Sequence, residues 1–338
     1  MAVKIAINGF GRIGRLVLRA MVESGRTDLE PVAINDLGSV EANAHLFRFD
    51  SVHGRFPGEV TVHGDSITIT HAGRGWGPIR VTAERDPTRV PYQGVDVAME
   101  CTGLFTTKAS AAQLIAAGAR KVLISAPADG VDATIVFGVN QQVITPDMTV
   151  ISNASCTTNC LAPMAAVLHE AFGVERGFMV TIHSYTGDQS TVDTLHKDLR
   201  RARAAAMSMI PTSTGAAKAV GLVLPELNGK LDGTSIRVPT PNVSLVSLDV
   251  NLKTRPSVTE VNAAFAAAAA GKMNNILVYN TAPLVSTDFT GVAASCTFDA
   301  TQTTSVDGGA LIRVCGWYDN EWGFSNRMCD TAAVFGAL

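Results

Sequence analysis

The chain has little of what membrane, secreted and nucleic-acid-binding proteins depend on. No run approaches the roughly 18 consecutive apolar residues of a membrane span, and the opening MAVKIAINGFG shows no signal-peptide pattern. Six cysteines in 338 residues, without a CxxC pair, do not favour a disulfide framework or a zinc site. The 27 Lys and Arg residues against 30 Asp and Glu residues provide no basic excess for nucleic acid. These absences predict a cytoplasmic protein with reduced thiols, no metal, no membrane contact and no nucleic-acid partner.

What the chain does contain is material for two folded domains, since 338 residues exceed one domain of about 150. Hydrophobic residues make up 46% of the sequence and charged residues 17%, as in a compact globular protein. Apolar strand-like segments and helical segments alternate through the first part: strands at 3–8, 31–35, 95–100 and 121–125, and helices at 12–24 and 107–119. This α/β alternation predicts a Rossmann-type, doubly wound parallel sheet.

A different pattern follows in the second part of the chain. Segment 242–252 alternates apolar and polar residues, as expected for a strand with one face less buried than the other. Segment 256–271 begins with a capping box formed by Ser257 and Glu260 and ends in glycine, which predicts a helix. We therefore expect a second domain of α+β type with a mixed or antiparallel sheet.

The first candidate site is the glycine pattern of Gly9, Gly11 and Gly14, which follows a predicted strand and opens a predicted helix. Glycines at this spacing allow a tight turn and let a pyrophosphate approach the free N–H groups of the helix terminus. The pattern alone also fits an ordinary glycine-rich turn. Asp36 ends the next predicted strand, where a carboxylate can accept hydrogen bonds from ribose hydroxyls and repel a 2′-phosphate. Together the four residues predict a dinucleotide site that favours NAD over NADP.

The second candidate is Cys156 in SNASCTTNC, residues 152–160. A buried small residue is the commoner fate of a free cysteine. The surrounding hydroxyl and amide side chains do not suit a core strand, and the apolar segment after Cys156 predicts a helix that begins near it. A thiol at a helix N-terminus is expected to have a lowered pKa. His183 ends an apolar strand pattern and is the candidate base, although the same position suits an ordinary surface histidine.

Three later segments carry groups that bind anions. The arginines Arg200, Arg201 and Arg203 form a cluster that also fits a solvated helix face. Thr214 and Gly215 precede a predicted helix and suit either a cap or a seat for an oxyanion. Arg237 lies within a strand pattern, where a partly buried guanidinium needs an acidic or phosphate partner.

Several long strings, in order along nearly the whole chain, resemble the NAD-dependent, phosphorylating glyceraldehyde-3-phosphate dehydrogenase family. They are INGFGRIGR, SNASCTTNCLAP, HSYTGDQ, the segment from RAAAMSMIPTSTG to PELNGKLDG, RVPTPNVS and WYDNEWGFSNRM. The resemblance implies oxidation of D-glyceraldehyde 3-phosphate with inorganic phosphate and NAD in glycolysis and gluconeogenesis, through a hemithioacetal and a thioester. It also implies an NAD-binding domain over 1–155, a catalytic domain over 156–319 and a final segment, 320–338, that returns to the NAD-binding domain.

The resemblance also assigns roles to individual positions. Cys156 would be the nucleophile and His183 its base. The cofactor would be bound by Gly9, Gly11, Arg12, Ile13, Gly14, Asp36, Ser125 and Asn320. The two phosphates would be bound by Ser155, Thr157, Thr186, Asp188, Arg200, Thr214, Gly215 and Arg237. Family members are usually homotetramers in which the loop around 185–208 lies against a neighbouring subunit.

Three alternatives remain open at this point. Erythrose-4-phosphate dehydrogenase shares the nucleotide motif and the cysteine, but it usually lacks the TSTGAAKAV pattern of residues 212–220. A cysteine hydrolase would explain Cys156 and His183 but not the glycine pattern or Asp36. A non-catalytic NAD-binding or RNA-binding protein would have no need of Cys156.

Overall fold

The computed structural model describes all 338 residues, which divide into two units. Unit 1 comprises Met1–Ile135, Gln141–Ala154 and Ser325–Leu338. Unit 2 comprises Val136–Asn140 and Ser155–Phe324. No helix combines the length and the apolar character that a membrane crossing needs.

Eight α-helices are present: α1 (Arg12–Glu23), α2 (Val40–Arg48), α3 (Lys108–Ala111), α4 (Gln113–Ala116), α5 (Cys156–Phe172), α6 (Ala216–Val223), α7 (Val258–Ala270) and α8 (Trp322–Ala337). The large sheet of unit 1 contains β1 (Val3–Asn8), β2 (Leu29–Asn35), β5 (Glu59–His63), β6 (Ser66–His71), β7 (Arg74–Thr82), β8 (Val97–Glu100), β9 (Lys121–Ile124), β10 (Ala133–Thr134) and β11 (Val150–Ser152). Strands β3 (Phe49–Asp50) and β4 (Gly54–Arg55) form a separate small ribbon. Unit 2 contains β12 (Val174–Ser184), β13 (Ile210–Thr212), β14 (Leu231–Val238), β15 (Ser244–Leu252), β16 (Leu277–Asn280), β17 (Cys296–Asp299), β18 (Thr304–Val306) and β19 (Leu311–Tyr318).

The sheet of unit 1 has the order β10-β11-β9-β8-β1-β2-β7-β6-β5. Strands β10 through β7 in this order are parallel, and β6 and β5 extend the sheet antiparallel. Strand β1 is almost entirely buried, as expected for an apolar run with helices on both faces. The predicted doubly wound parallel sheet is therefore confirmed.

Helix α1 shows how the local sequence sets the first turn after β1. Its buried residues include Leu16, Val17 and Met21, so one apolar face of the helix packs against the sheet. Gly25 follows the helix with a φ of +65°, a conformation that glycine adopts without steric cost. The helix predicted over 107–119 is instead two short helices, because Ala112 closes α3 and opens α4.

The sheet of unit 2 has the order β13-β14-β12-β15-β19-β17-β16, with β18 paired to β19. Strand pairs β12/β14 and β16/β17 are parallel and the others are antiparallel, so the predicted mixed sheet is confirmed. The alternation predicted for 242–252 appears in β15, whose residues are buried and half-buried in turn. Helix α7 begins after Ser257, which forms the predicted capping box with Glu260. Strands β12 and β14 end side by side at Ser184 and Val238.

Candidate active site

The glycine pattern forms the turn between β1 and α1. Gly9 has a φ of +91°, and a Cβ at this position would lie 2.7 Å from the backbone N of Thr102. A Cβ on Gly14 would lie 2.1 Å from the carbonyl oxygen of Gly9, so the turn and the helix can approach this closely only without side chains. A Cβ on Gly11 would meet nothing within 4 Å. Gly11 therefore leaves open space at the start of α1, where the protein itself does not require a glycine.

That open space belongs to a pocket of about 330 Å³ in unit 1, which Gly9, Gly11 and Asp36 line together with residues of loops 84–87 and 101–105. Asp36 Oδ2 accepts a hydrogen bond from the backbone N of Phe10, at 2.8 Å, and Oδ1 accepts one from Gly38, at 3.0 Å. The carboxylate is thus held at the mouth of the glycine turn. A glycine cradle beside a fixed carboxylate fits a dinucleotide with a free 2′-hydroxyl.

Three other predicted cofactor residues follow the C-terminal ends of strands β1 and β9. Arg12 is the first residue of α1, and its Nη1 lies 2.5 Å from Oδ2 of the buried Asp50. Ile13 is half-buried in the first turn of α1. Ser125 directly follows β9 and donates its backbone N–H to the carbonyl of Glu100.

Cys156 is the first residue of α5. Ser155 is the N-cap, and its Oγ accepts a hydrogen bond from the N of Thr158, at 3.0 Å. The N–H groups of the first turn beyond this cap remain available, as at any helix start. The sequence therefore placed the thiol correctly at a helix N-terminus.

His183 lies on β12, one residue before its end, and is 4% exposed. Its Nε2 is 3.5 Å from Cys156 Sγ, and its Nδ1 is 2.7 Å from the carbonyl oxygen of Ser184. Because a carbonyl oxygen only accepts hydrogen bonds, Nδ1 carries the proton and Nε2 is left as an acceptor. This tautomer can take a proton from the Cys156 thiol.

Burial determines the protonation of this pair. Burial, together with the positive charge of Arg237, lowers the pKa of His183 to about 3. Burial also raises the pKa of the Cys156 thiol, opposed chiefly by Arg237 and by hydrogen bonds from Thr157. The expectation that Cys156 has a lowered pKa is therefore wrong, because loss of solvation outweighs the charge of Arg237 and the hydrogen bonds that favour the thiolate. The resting pair consists of a thiol and a neutral imidazole.

An anion-binding cluster lies beside the pair on the ends of β12, β13 and β14. Arg237 Nη1 donates to the carbonyl of Ser184, at 3.1 Å, and to Thr186 Oγ1, at 2.9 Å. Arg237 Nε and Gln189 Nε2 are buried without a hydrogen-bond partner. Unsatisfied buried donors are costly unless a ligand completes them, and donors of this kind fit phosphate oxygens.

Arg201 reaches this cluster, whereas Arg200 does not. Arg201 Nη1 lies 2.7 Å from Asp188 Oδ2, and its Nε donates to Thr212 Oγ1, at 3.1 Å. The Arg200 side chain is exposed, and its backbone N–H donates to Asp198. Asp188 also accepts from the Thr186 hydroxyl, so its carboxylate orients the donors of the cluster and would itself repel a phosphate. The structure therefore brings Arg201, and not the predicted Arg200, into the cluster.

The remaining predicted residues have definite partners. The Thr157 hydroxyl bonds the buried Tyr318 OH, at 2.8 Å, which leaves its backbone N–H as the group available to a ligand. Thr214 Oγ1 accepts from the N of Ala216, and Gly215 is the N-cap of α6. Asn320 Oδ1 accepts from two buried hydroxyls, those of Ser184 and Ser244.

Sequence reasoning missed Tyr318 and the buried hydroxyls around Asn320. Tyr318 OH also bonds Thr181, and its ring meets that of His183 edge to face at 5.9 Å between centroids. Tyr318 thus ties α5 to β12 immediately behind the Cys156–His183 pair. Its position as the last residue of a strand, before the polar Asp319 and Asn320, was the available signal.

Comparison with known proteins agrees with this geometry. Residues 3–108 match the family model described as the NAD-binding domain of glyceraldehyde 3-phosphate dehydrogenase, and residues 155–320 match its C-terminal domain. The chain is 64% identical to a glyceraldehyde-3-phosphate dehydrogenase of Xanthobacter flavus and 63% identical to one of Cereibacter sphaeroides, in each case over 100% of both chains. A relative of the same name from Geobacillus stearothermophilus is 55% identical over 98% of both chains.

Proposed function

The chain belongs to the glyceraldehyde-3-phosphate dehydrogenase family, and we propose that it oxidises D-glyceraldehyde 3-phosphate to 1,3-bisphosphoglycerate with NAD and inorganic phosphate. The observation that carries this proposal is the Cys156–His183 pair beside a cluster with two buried, unsatisfied donors, Arg237 Nε and Gln189 Nε2. A thiol nucleophile with its base forms the acyl enzyme, and the cluster selects a phosphorylated aldehyde. The reaction is the oxidative step of glycolysis and, in reverse, a step of gluconeogenesis.

NAD, when bound, accepts the hydride that raises the substrate carbon to the thioester oxidation level. The residues proposed to hold the cofactor are Gly9, Gly11, Arg12, Ile13, Gly14, Asp36, Ser125 and Asn320. The hydroxyls of Ser184 and Ser244 both donate hydrogen bonds to Asn320 Oδ1. The side-chain NH₂ of Asn320 is therefore the group that can donate to the nicotinamide carboxamide.

The chemistry at carbon begins with Cys156. His183 Nε2 removes the thiol proton as Sγ attacks the aldehyde carbon and passes it to the former carbonyl oxygen, so the product is a neutral hemithioacetal and Nε2 is again free to accept a proton. His183 then accepts the hydroxyl proton of this adduct as the carbon is oxidised. The N–H groups at the start of α5 stabilise the developing oxyanion, and one good donor contributes about 3 kcal/mol in comparable sites. The result is a thioester on Cys156.

Inorganic phosphate completes the reaction by attacking the thioester carbon and releasing the Cys156 thiolate. We propose that Arg201, Arg237 and Thr186 bind the phosphate of the substrate, with Asp188 orienting them. Ser155, Thr157, Thr214 and Gly215 bind the attacking phosphate through the N-terminal N–H groups of α5 and α6. Attack by phosphate conserves the thioester energy as an acyl phosphate, which attack by water would lose.

We propose further that the enzyme is a cytoplasmic homotetramer. Apolar side chains in the segment around 185–208 support the assembly: Leu195 is fully exposed, and Leu199 and Met207 are more than 80% exposed. Exposed apolar side chains clustered on one segment are typical of a surface that another chain covers. All six cysteines are free thiols, which suits a reducing compartment.

The experiment that tests the reaction measures NADH formation from glyceraldehyde 3-phosphate with and without inorganic phosphate. We expect sustained turnover only with phosphate, a preference for NAD over NADP, and a slower reaction with erythrose 4-phosphate. Cys156→Ser should abolish turnover. Cys329→Ser is the matched control, because that buried thiol lies in α8 and donates to the carbonyl of Val17, away from Cys156 and His183.

Two results would contradict the proposal. Turnover that is independent of phosphate would indicate hydrolysis of the acyl enzyme rather than phosphorolysis. Activity that survives Cys156→Ser would remove Cys156 from the chemistry. Faster turnover with erythrose 4-phosphate would instead show that this aldehyde, and not glyceraldehyde 3-phosphate, is the preferred substrate.

A further inference from the structure

A row of polar side chains crosses the floor of the dinucleotide pocket in unit 1. Its members are the last residues of four adjacent parallel strands: Thr82 of β7, Asn35 of β2, Asn8 of β1 and Glu100 of β8. They lie opposite one another in the sheet register, Thr82 with Asn35, Asn35 with Asn8 and Asn8 with Glu100. We call this row the polar ladder.

The hydrogen bonds of the polar ladder all run in one direction. Thr82 Oγ1 donates to Asn35 Oδ1, at 2.9 Å, and Asn35 Nδ2 donates to Asn8 Oδ1, at 2.9 Å. Asn8 Nδ2 donates to Glu100 Oε2, at 2.6 Å. Each donor therefore points along the row towards Glu100, and bonds aligned in this way polarise one another.

Glu100 fixes that direction because an ionised carboxylate only accepts hydrogen bonds. Its side chain is completely buried and forms no ion pair. Besides Asn8, the N–H and the hydroxyl of Thr102 donate to Oε1. Burial raises the pKa of Glu100, while Thr102, Asn8 and the backbone of Gly103 lower it. These hydrogen bonds oppose the effect of burial only in part, but they place a donor on each oxygen, as an accepting carboxylate requires.

The two ends of the polar ladder hold the two walls of the pocket. At one end Glu100 binds Thr102, whose hydroxyl also accepts from the N of Leu104, and this orders loop 101–105. Towards the other end, next to Thr82, Asn35 Oδ1 accepts a hydrogen bond from the backbone N of Glu84, and Asn35 Nδ2 donates one to the carbonyl oxygen of Glu84, both at 2.9 Å. These two bonds order loop 84–87. These are the two loops that line the pocket opposite each other with Gly9 and Asp36.

We infer that Glu100 is a positioning residue for the dinucleotide, acting through the polar ladder to hold both walls of the pocket in the spacing that the adenosine diphosphoribose part requires. The inference rests on the proposed function only for the identity of the ligand. Glu100 lies beneath the walls and has no part in the chemistry of unit 2.

The test measures binding of ADP-ribose, which lacks the nicotinamide, by titration calorimetry. In Glu100→Gln the new NH₂ group faces either the Asn8 NH₂ or the donors of Thr102, and turning Asn8 round would break its bond to Asn35. We expect affinity for ADP-ribose to fall about tenfold. Asn8→Asp alone places two buried carboxylates side by side and should weaken binding at least as much.

The combined variant Asn8→Asp with Glu100→Gln is the decisive measurement. The carboxylate moves one position along the polar ladder, the glutamine NH₂ donates to it, and Asn35 still finds an acceptor. Net charge and the hydrogen bonds between neighbouring members of the polar ladder are retained, so we expect affinity for ADP-ribose to return to within about threefold of the unaltered chain. Glu30→Gln, an exposed position on β2, controls for loss of one negative charge.

The inference is overturned if Glu100→Gln binds ADP-ribose as tightly as Glu30→Gln, or if the combined variant binds no better than the weaker single variant. It is also overturned if both variants fail to fold, since Glu100 would then be a folding residue. Turnover measurements distinguish failure of this inference from failure of the proposed function. Glu100→Gln should raise the KM for NAD with kcat at saturating NAD within about threefold, whereas an absence of turnover in the unaltered chain would leave the ADP-ribose result to stand alone.

Discussion

Arg237 acts on both members of the Cys156–His183 pair. Its charge favours the thiolate of Cys156 and disfavours the imidazolium of His183. Nη1 lies 3.2 Å from His183 Nδ1, but both atoms carry protons, so this contact is a repulsion rather than a hydrogen bond. The guanidinium that we propose binds the substrate phosphate thus also acts on the protonation of the nucleophile and its base.

Removal of the Arg237 charge should make Cys156 less acidic. In Arg237→Gln we expect the pH profile of Cys156 alkylation by iodoacetamide to move to higher pH, because the strongest interaction that favours the thiolate is lost. Arg237→Lys keeps the positive charge and should move the profile less. A profile that Arg237→Gln leaves unchanged would show that the guanidinium does not act on the thiol.

Arg200 and Arg201 provide a second test at single residues. Arg201→Ala should raise the KM for glyceraldehyde 3-phosphate roughly 10- to 100-fold, the cost of a charge-assisted hydrogen bond to phosphate. Arg200→Ala should change it less than about twofold, since that side chain is exposed. The reverse order in steady-state kinetics would return the role to Arg200.

The sequence could not distinguish these two arginines. Cys156, His183 and Arg237 were predictable because a helix start or a strand fixes where each side chain lies. Residues 200 and 201 lie in a turn without helical or strand periodicity, where side-chain direction depends on distant partners such as Asp188 and Thr212. The net rise in the pKa of Cys156 was unpredictable for a similar reason, because burial is a property of the folded chain.

At the scale of single elements, the turn from β1 into α1 gives its glycines different tasks. Gly14 is needed for packing, since its Cβ would lie 2.1 Å from a backbone oxygen, whereas a Cβ on Gly11 would meet no protein atom within 4 Å. Gly14→Ala should therefore lower the stability of unit 1, by about 1–3 kcal/mol as in other overpacked cores. Gly11→Ala should unfold at nearly the same temperature as the unaltered chain and yet bind NAD more than tenfold more weakly.

Thermal unfolding and NAD titration of the two variants check this separation. A Gly11→Ala variant that still binds NAD tightly would show that the pyrophosphate lies away from the start of α1. Gly14→Ala with unchanged stability would show that α1 can move away from β1 at little cost.

Elements whose own segment carries a clear apolar or capping pattern were predicted, and elements without such a pattern were not. The signals for α1, β1 and α7 are an apolar face, a buried run and a capping box within the segment itself. Strands β5 and β6 went unpredicted because their exposed edge positions and short turns resemble loop sequence, and only antiparallel pairing next to β7 makes them part of the sheet. The interruption at Ala112 likewise has no proline or glycine to mark it.

At the scale of the whole molecule, the buried His183 couples the site to acid stability. Its pKa is about 3 in the folded chain against an ordinary value of 6.5, so between these values the unfolded chain binds a proton that the folded chain does not. This stability is complete above pH 6.5 and is lost as the pH falls towards 3. We expect a fall from pH 7 to pH 5 to cost about 2 kcal/mol through this residue.

Urea unfolding at the two pH values measures this cost. His183→Asn should lose part of the pH dependence, whereas His45→Asn, at an exposed position, should keep it. Equal dependence in both variants would show that His183 is already charged in the folded protein.

The division of the chain between units also affects how the protein is made. Residues 325–338, most of α8, belong to unit 1 together with residues 1–135, and Met328, Ala332 and Phe335 are completely buried there. Lys121 and Arg120 donate to the carbonyls of Phe335 and Gly336 and so fix the end of this helix. During translation the dinucleotide unit therefore emerges first from the ribosome but lacks its last helix until all of unit 2 has been synthesised. Until α8 has been made, the apolar surface that Met328, Ala332 and Phe335 cover in the folded unit stays exposed in the nascent chain. Unit 1 is therefore the first unit to appear and the last to be completed.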